Sequence, residues 1–265
     1  MALNFSLSIV SHGHRIHIRN LLQDLAALGR DDFDVILTIN LPEELPLDLS
    51  TLPFAVQVIH NSTPKGFAAN HNAAFVHNTG RYFVVLNPDI RLIGDPFPPL
   101  LDYISAKPDS ICAPLVVNQV GIVEDSARLF PTPLFLLKKL YHKLRGTRLA
   151  ADVIVEDDLA LYPDWIAGMF VVVAHETYGA LGGLSERYHM YYEDVDFCVR
   201  ARLVGQQIAV VKGARVIHEA QRDSHRKLRH LLWHISSILR FFLSKGYFQL
   251  QLGRVPPQSE PTQHD

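Results

Sequence analysis

Residues 5–89 alternate between short apolar runs and longer amphipathic ones, and this alternation restricts the fold more than any other feature of the chain. "FSLSIVS" (5–11) reads as a strand, "RIHIRNLLQDLAAL" (15–28) has helical apolar spacing and stops at Gly29, and "FDVILTIN" (33–40) reads as a second strand. After a Pro-rich link, "FAVQVIHN" (54–61) supplies a third strand and "GFAANHNAAFVHN" (66–78) a helix. "YFVVLNPD" (82–89) is a nearly all-apolar fourth strand that ends in polar residues. Repeated strand–helix–strand units imply right-handed crossovers and an α/β fold with a mostly parallel central sheet flanked by helices. Ligands then bind at the carboxyl ends of the strands.

Beyond residue 94 the pattern weakens. Several prolines, a helix near 98–107 and a basic segment, "LKKLYHKLRGTR" (137–148), predict insertions and loops up to 164. "DWIAGMFVVVAHETYGALGG" (164–183) reads as a strand, a short helix and a Gly182-Gly183 stop. "QIAVVKGARVIHE" (207–219) reads as two short strands about a Lys212-Gly213 turn, and residues 224–248 as an amphipathic helix. The expected organisation is one domain over 1–222, with one half at about 1–93 and the other at about 160–222. A helical extension and disordered tail follow over 223–265.

A length of 265 residues with 48% hydrophobic composition is enough for a full core. The formal charge of −2 gives no global attraction to nucleic acid, so none is expected as a partner. Cys112 and Cys198 stand far apart and outside any CxxC spacing, which argues against a disulfide framework or a structural zinc and fits a reducing cytoplasm. No signal peptide is expected, and "WIAGMFVVVA" (165–174) is the nearest approach to a spanning segment and is too short.

Five stretches carry candidate chemistry. Asn87-Pro88-Asp89 ends a buried strand at the open edge of the sheet, where one carboxylate can help hold magnesium or manganese if a diphosphate supplies further oxygens. As a tripeptide alone it also reads as a plain turn. Gly66 opens a helix with Asn70 and Asn72 in its first turns, a place where backbone can approach a nucleotide or its phosphates. His218 closes a strand and can serve as a second metal ligand. His12, His14 and His17 raise a zinc reading, with contact to a nucleotide base or diphosphate the favoured alternative.

The fifth stretch is "RYHMYYEDVDFCVRARLVG" (187–205), with three carboxylates just ahead of what reads as a helix. Pairing of Asp196 with Arg200 four residues on, and the preference of acidic groups for a first helical turn, explain Asp196 structurally. They explain the Glu193-Asp194 pair less well. Aromatic neighbours can form a sugar-binding wall and raise a carboxylate pKa by desolvation, which makes the pair a candidate general base.

In this order the stretches resemble glycosyltransferase family 2 on the GT-A fold, most closely its bacterial rhamnosyltransferase-like branch. The resemblance spans about residues 5–222 and is most specific over 164–219, which is similar to the family's W-x-x-G, G-G-x-x-E, Y-x-E-D-x-D-x-x-x-R and closing His. It implies that Asp89 and His218 hold a divalent cation, Mg2+ or Mn2+, on the donor diphosphate. It implies Asp194 as base with Glu193 orienting the acceptor, and Trp165, Gly168 and Tyr192 on the acceptor side. Ser11, His12, Asn40, Gly66, Asn70, Asn72 and Asn87 fall on the donor side, the nucleotide-sugar half at about 1–93, with the acceptor half at about 160–222; Ile39-Asn40 stands where many members carry Asp-Asn for the base, with Asn40 and Ser11 as the substitutes. The implied reaction is a single displacement that inverts the anomeric carbon. The Q-x-x-R-W of processive synthases is replaced by Arg200-Ala201-Arg202-Leu203, so one sugar per encounter is expected.

The implied partners are a nucleotide-diphosphate sugar, with dTDP-rhamnose first, and a glycan or lipid-linked glycan acceptor of bacterial surface polysaccharide. Residues 211–254 carry nine Lys/Arg against Glu219 and Asp223, and Leu228, Leu231, Leu232, Ile235, Ile238, Leu239 and Phe242 share one helical stripe. That composition suits peripheral contact with the cytoplasmic face of the inner membrane, docking on the chain's own core, or a homodimer. A sugar-nucleotide-binding protein without transferase activity is the alternative function.

Overall fold

The computed structural model describes residues 3–45, 47–147, 154–219 and 227–255. The first half follows the sequence pattern closely: β1 (Phe5–Ser11), α1 (Arg15–Ala27), β2 (Phe33–Ile39), β3 (Val56–His60), α2 (Phe67–Phe75) and β4 (Tyr82–Leu86). These four strands are parallel and lie in the order β3, β2, β1, β4, so Ser11, Asn40, Asn61 and Asn87 all emerge at one edge. β5 (Ile90–Leu92), α3 (Phe97–Ala106) and β6 (Ser110–Val117) follow.

The second half adds β7 (Ala127–Arg128), α4 (Pro133–Leu144), β8 (Val155–Glu156), β9 (Ala160–Tyr162), β10 (Trp165–Ile166), β11 (Phe170–Ala174), α5 (His175–Ala180), α6 (Glu193–Leu203) and β12 (Gln207–His218). Beyond β4 the sheet continues through β11, β6, β12, β9 and β8, with β5 also paired to β12. β11 is antiparallel to β4, whereas β12 is parallel to β6. The chain ends in α7 (Lys227–Phe242) and α8 (Lys245–Gln251), separated where Ser244 caps α8 by accepting from the Tyr247 N–H. Expectations for residues 220–226 and 256–265, including the tail, lie outside the described residues.

Alternation along the strands divides the core into two layers. In β4, Val84 and Leu86 face α1 and α3, while Phe83 and Val85 face α2, α5 and α6; all four are buried. That is why the strand reads as apolar throughout. β1 directs Phe5, Leu7 and Ile9 to the first layer and small buried Ser6 and Ser8 to the second. There Ser6 Oγ accepts the N–H groups of Thr79 and Gly80, and Ser8 Oγ bonds His71 Nδ1 at 2.8 Å.

Three sequence expectations need correction. The basic segment within 137–148 is mostly helix, α4, opened by Pro133 at the first position, where a missing N–H has no helical partner to lose. Residues 207–219 do not turn at Lys212-Gly213. β12 runs straight through, absorbing the glycine in a register shift between Val211 and Arg215. The carboxylates do not precede α6; Glu193, Asp194 and Asp196 form its first turn, balanced by Arg200 and Arg202 in its last.

Candidate active site

On the side expected to meet the donor, Asn40 follows β2 and clamps the loop before α2. Its Nδ2 donates to the Lys65 carbonyl (3.0 Å) and its Oδ1 accepts from the Lys65 N–H (2.8 Å) and from Asn61 Nδ2 (2.8 Å). His12 Nδ1 lies 2.8 Å from Asn40 Nδ2. Asn70 continues the network by donating to the Lys65 and Gly66 carbonyls (3.2 and 3.0 Å) and accepting from Asn61 Nδ2 (2.6 Å). Asn40 and Asn70 are buried, so both amides position this loop. Ser11 Oγ donates to Glu43, whose carboxylate also accepts the Gly13 N–H. Glu43 escaped the sequence reading. Its only signal is a carboxylate three residues beyond Asn40.

At the next strand end, Asp89 Oδ2 lies 3.3 Å from His218 Nε2, and His218 Nδ1 lies 2.7 Å from Glu124 Oε2. Pairing of β5 with β12 sets this meeting, since His218 is opposite Ile90. The hydrogen bond to Asp89, with help from Glu124, raises the His218 pKa to about 9 against the effect of burial. Asp89 Oδ1 is buried without a hydrogen-bond partner. An orphaned carboxylate oxygen beside an imidazole whose far nitrogen is held by a second carboxylate fits a divalent cation, provided phosphate oxygens complete its shell. Among the described residues, no three His, Cys, Asp or Glu side chains form a metal-holding group, which also removes the zinc reading of His12, His14 and His17. His14 connects the two donor clusters. Burial lowers its pKa, while the charges of Asp89 and Glu43 oppose the shift.

On the acceptor side, β10 ends at Ile166 and the chain turns through Gly168 against α6. The Gly168 N–H donates to Asp194 Oδ2 (3.2 Å) and the Val195 N–H to Oδ1 (2.8 Å), so the backbone orients this carboxylate. A Cβ at Gly168 would sit 3.2 Å from the Phe67 ring. At Gly66 it would sit 2.7 Å from the His189 carbonyl oxygen, which accepts the Phe67 N–H. The two glycines therefore let α2 close against the acceptor loop. Trp165 donates its indole N–H to the Leu129 carbonyl (3.0 Å) beneath the Arg128 guanidinium, 5.5 Å from the ring centroid.

Glu193 is 5% exposed and its Oε2 has no partner. Burial, then the charge of Asp194, pushes its pKa up to about 8. Burial also raises that of Asp194, against the two backbone N–H groups and Arg128. Just before the pair, Tyr191 and Tyr192 take consecutive left-handed conformations, φ 70° and 69°. Tyr192 packs on Phe241 and His234 of α7, and Tyr191 Oη bonds His230 Nδ1 at 2.8 Å.

The predicted residues thus gather in two groups on one edge of the sheet, with one exception. Asn72 points away from the donor cluster: it donates to the Leu184 carbonyl and Glu186, and accepts from the Leu184 N–H and Tyr178 Oη. It fastens α2 to the Gly182-Gly183 turn. Asn87 contributes backbone, donating to the Met169 carbonyl and accepting the Ile90 N–H in the turn before Asp89. Asp196 pairs with Arg200 at 2.8 Å, and Arg200 reaches on to the Leu181 and Gly183 carbonyls.

The sequence profile described as Glycosyl transferase family 2 matches residues 17–177. The chain belongs to that family. It is 27% identical over 249 residues to "Rhamnosyltransferase WbbL" of Escherichia coli, covering 89% of this chain and 92% of that one. It is also 27% identical over 175 residues to the "N-acetylglucosaminyl-diphospho-decaprenol L-rhamnosyltransferase" of Mycobacterium tuberculosis, covering 62% of this chain and 55% of that protein. Among solved structures, the mannosyltransferase PcManGT from Pyrobaculum calidifontis, in complex with GDP-Man and Mn2+, superposes with a TM-score of 0.62 at 14% identity. The match covers 91% of this chain and 65% of PcManGT, under two thirds of its length, and places the family 2 chain on the GT-A fold.

Proposed function

We propose that this family 2 glycosyltransferase is an inverting, cation-dependent, non-processive enzyme that moves a sugar from a nucleoside diphosphate to a glycan or lipid-linked glycan hydroxyl. The names of its relatives favour rhamnose as the sugar and bacterial surface polysaccharide as the product, with dTDP-rhamnose the first donor to test. The observation that carries the reading is the Asp194 carboxylate, aimed by the Gly168 and Val195 N–H groups beside Trp165 and facing the α2 end of the donor network.

Asp194 takes the proton from the acceptor hydroxyl as its oxygen bonds to the anomeric carbon, and the bond from that carbon to the diphosphate oxygen breaks on the opposite face. Glu193, held protonated near neutrality, keeps a donor hydrogen for the acceptor and leaves Asp194 as the charged partner. Trp165, Gly168 and Tyr192 shape the acceptor side. Ser11, His12 and Glu43 face the nucleotide side on the frame made by Asn40, Asn61, Asn70 and Gly66. Asp89 and His218 would hold Mg2+ or Mn2+, with Glu124 fixing the imidazole; when bound, the cation offsets charge on the departing diphosphate.

Calorimetric titration with a panel of nucleoside diphosphates and their sugars, with and without manganese, tests both halves of the site. Donor binding should need the cation, vanish in Asp89→Ala and persist in Asp194→Ala, while turnover is lost in both. No binding of any nucleotide by the unaltered chain would remove the donor-site assignment. A product of retained anomeric configuration would remove the single displacement.

A further inference from the structure

Most amphipathic surface helices bury their apolar stripe. Two helices beside the acceptor side do the reverse. In α4, Leu134, Leu137, Tyr141 and Leu144 recur at steps of three and four, which puts them on one face, and they are 50–79% exposed. α7 is divided. Ile238 and Phe241 pack on the core, and Ser237 Oγ donates to the Met190 carbonyl, whereas Leu231, Leu232, Ile235 and Leu239 are 46–61% exposed. Leu243, just beyond it, is 84% exposed.

The two helices meet near the tyrosines that precede Glu193. His230 and His234 of α7 contact the tyrosines that precede Glu193 and Asp194. Lys139 of α4, together with Arg128, lies near enough to His234 to add to the lowering of its pKa that burial begins. The charge around them is one-sided. Residues 133–147 and 227–254 hold nine Lys and Arg and no Asp or Glu, in a chain whose formal charge is −2.

We propose that α4 and the outward face of α7 form one docking surface for an anionic lipid bilayer, which holds the acceptor opening against the headgroups. Exposed leucines beside lysines, with no carboxylate, match a surface that enters the headgroup boundary and is attracted to it. No helix of the described residues is long and apolar enough to cross a membrane, so the contact lies in the interface plane. A second copy of the chain is a poor occupant, because it would set the same cationic surface against itself. Residues 256–265, "PPQSEPTQHD", hold no large apolar side chain that could cover the stripes. The docking rests on the sugar-transfer reading only for its purpose, delivery of a hydroxyl whose anchor stays in the bilayer.

The test is co-sedimentation of the full chain with vesicles of phosphatidylcholine alone and of equal parts phosphatidylcholine and phosphatidylglycerol. The unaltered chain is expected to sediment with the anionic vesicles and stay behind with the neutral ones. Leu134→Ser with Leu137→Ser, and separately Leu231→Ser with Ile235→Ser, should each weaken partitioning by about 10-fold or more. Lys138→Glu with Lys139→Glu should weaken it selectively on the anionic vesicles. All these positions are on the surface, so folding is preserved, and donor binding measured on the same preparations reads the sugar-transfer site independently. Unchanged sedimentation in the leucine variants overturns the docking surface. So does a lipid-free dimer, seen by analytical ultracentrifugation, that the same substitutions disperse.

Discussion

The proposed donor and acceptor halves solve the placement of polar groups in opposite ways. On the donor side, Asn40, Asn61 and Asn70 bond one another and the Lys65–Gly66 backbone, and Ser8 bonds the buried His71. On the acceptor side, Glu193 keeps an orphaned oxygen, two consecutive tyrosines adopt left-handed backbone, and two helices expose apolar stripes. A self-satisfied network makes a rigid frame that a nucleotide can meet without rearrangement. Unpaired carboxylate and local backbone strain gather where chemistry and a changing partner are met. The contrast predicts that donor-side changes act on stability and binding, and acceptor-side changes on turnover.

The largest effect expected is at Asp194. Asp194→Asn keeps the shape but gives up the proposed base and one of the two acceptors of the Gly168 and Val195 N–H groups, so kcat should fall on the order of 10²- to 10⁴-fold while donor affinity hardly moves. A loss of donor affinity as large as the loss of kcat would mean that the halves are not separable in this way.

Asn40→Ala probes the other side. It leaves the Lys65 N–H and Asn61 Nδ2 without their acceptor at a part-buried place, which should cost about 1–2 kcal/mol in urea unfolding. Donor affinity should fall along with stability. A variant as stable as the parent would show that the network adds little to the frame.

These two residues also show what a sequence can disclose. The parallel strands were legible because burial on both faces leaves an apolar run, and Asp194 stood out because its neighbours fill a spaced motif. Asn40 stood out for its place after the second strand, whereas its clamping of a loop 25 residues away leaves no local trace. Glu124 meets His218 across 94 residues, and no spacing announces it. α4 was hidden by prolines and lysines that resemble a loop when burial is not known. β12 was split on paper by a Lys-Gly pair that the sheet accommodates as an irregularity.

Gly168→Ala tests the contact between the halves. The added Cβ meets the Phe67 ring at 3.2 Å, so the ring must give slightly, while Asp194 Cβ at 3.8 Å is an ordinary contact. We expect a cost of about 1–2 kcal/mol in stability, with kcat reduced more than donor affinity because the Gly168 N–H orients the base. Equal losses in both would place the strain on α2 rather than on Asp194.

A pH series separates the two acidic neighbours. Glu193 has a folded pKa of about 8 against an ordinary 4.5, so between those values the native state holds a proton that the unfolded chain has lost. Its stabilising contribution is therefore fully present below about 4.5, falls as pH rises through the window and is gone above about 8. Glu193→Gln fixes the neutral form in both states and removes this slope. The difference in urea midpoint between the unaltered chain and Glu193→Gln should consequently grow in favour of the variant from pH 5 to pH 8. The acid limb of kcat, set by ionisation of Asp194, should survive the substitution. Parallel stability curves would show that Glu193 is ionised near neutrality, and the acceptor side would then hold two charges where the orphaned oxygen points to one.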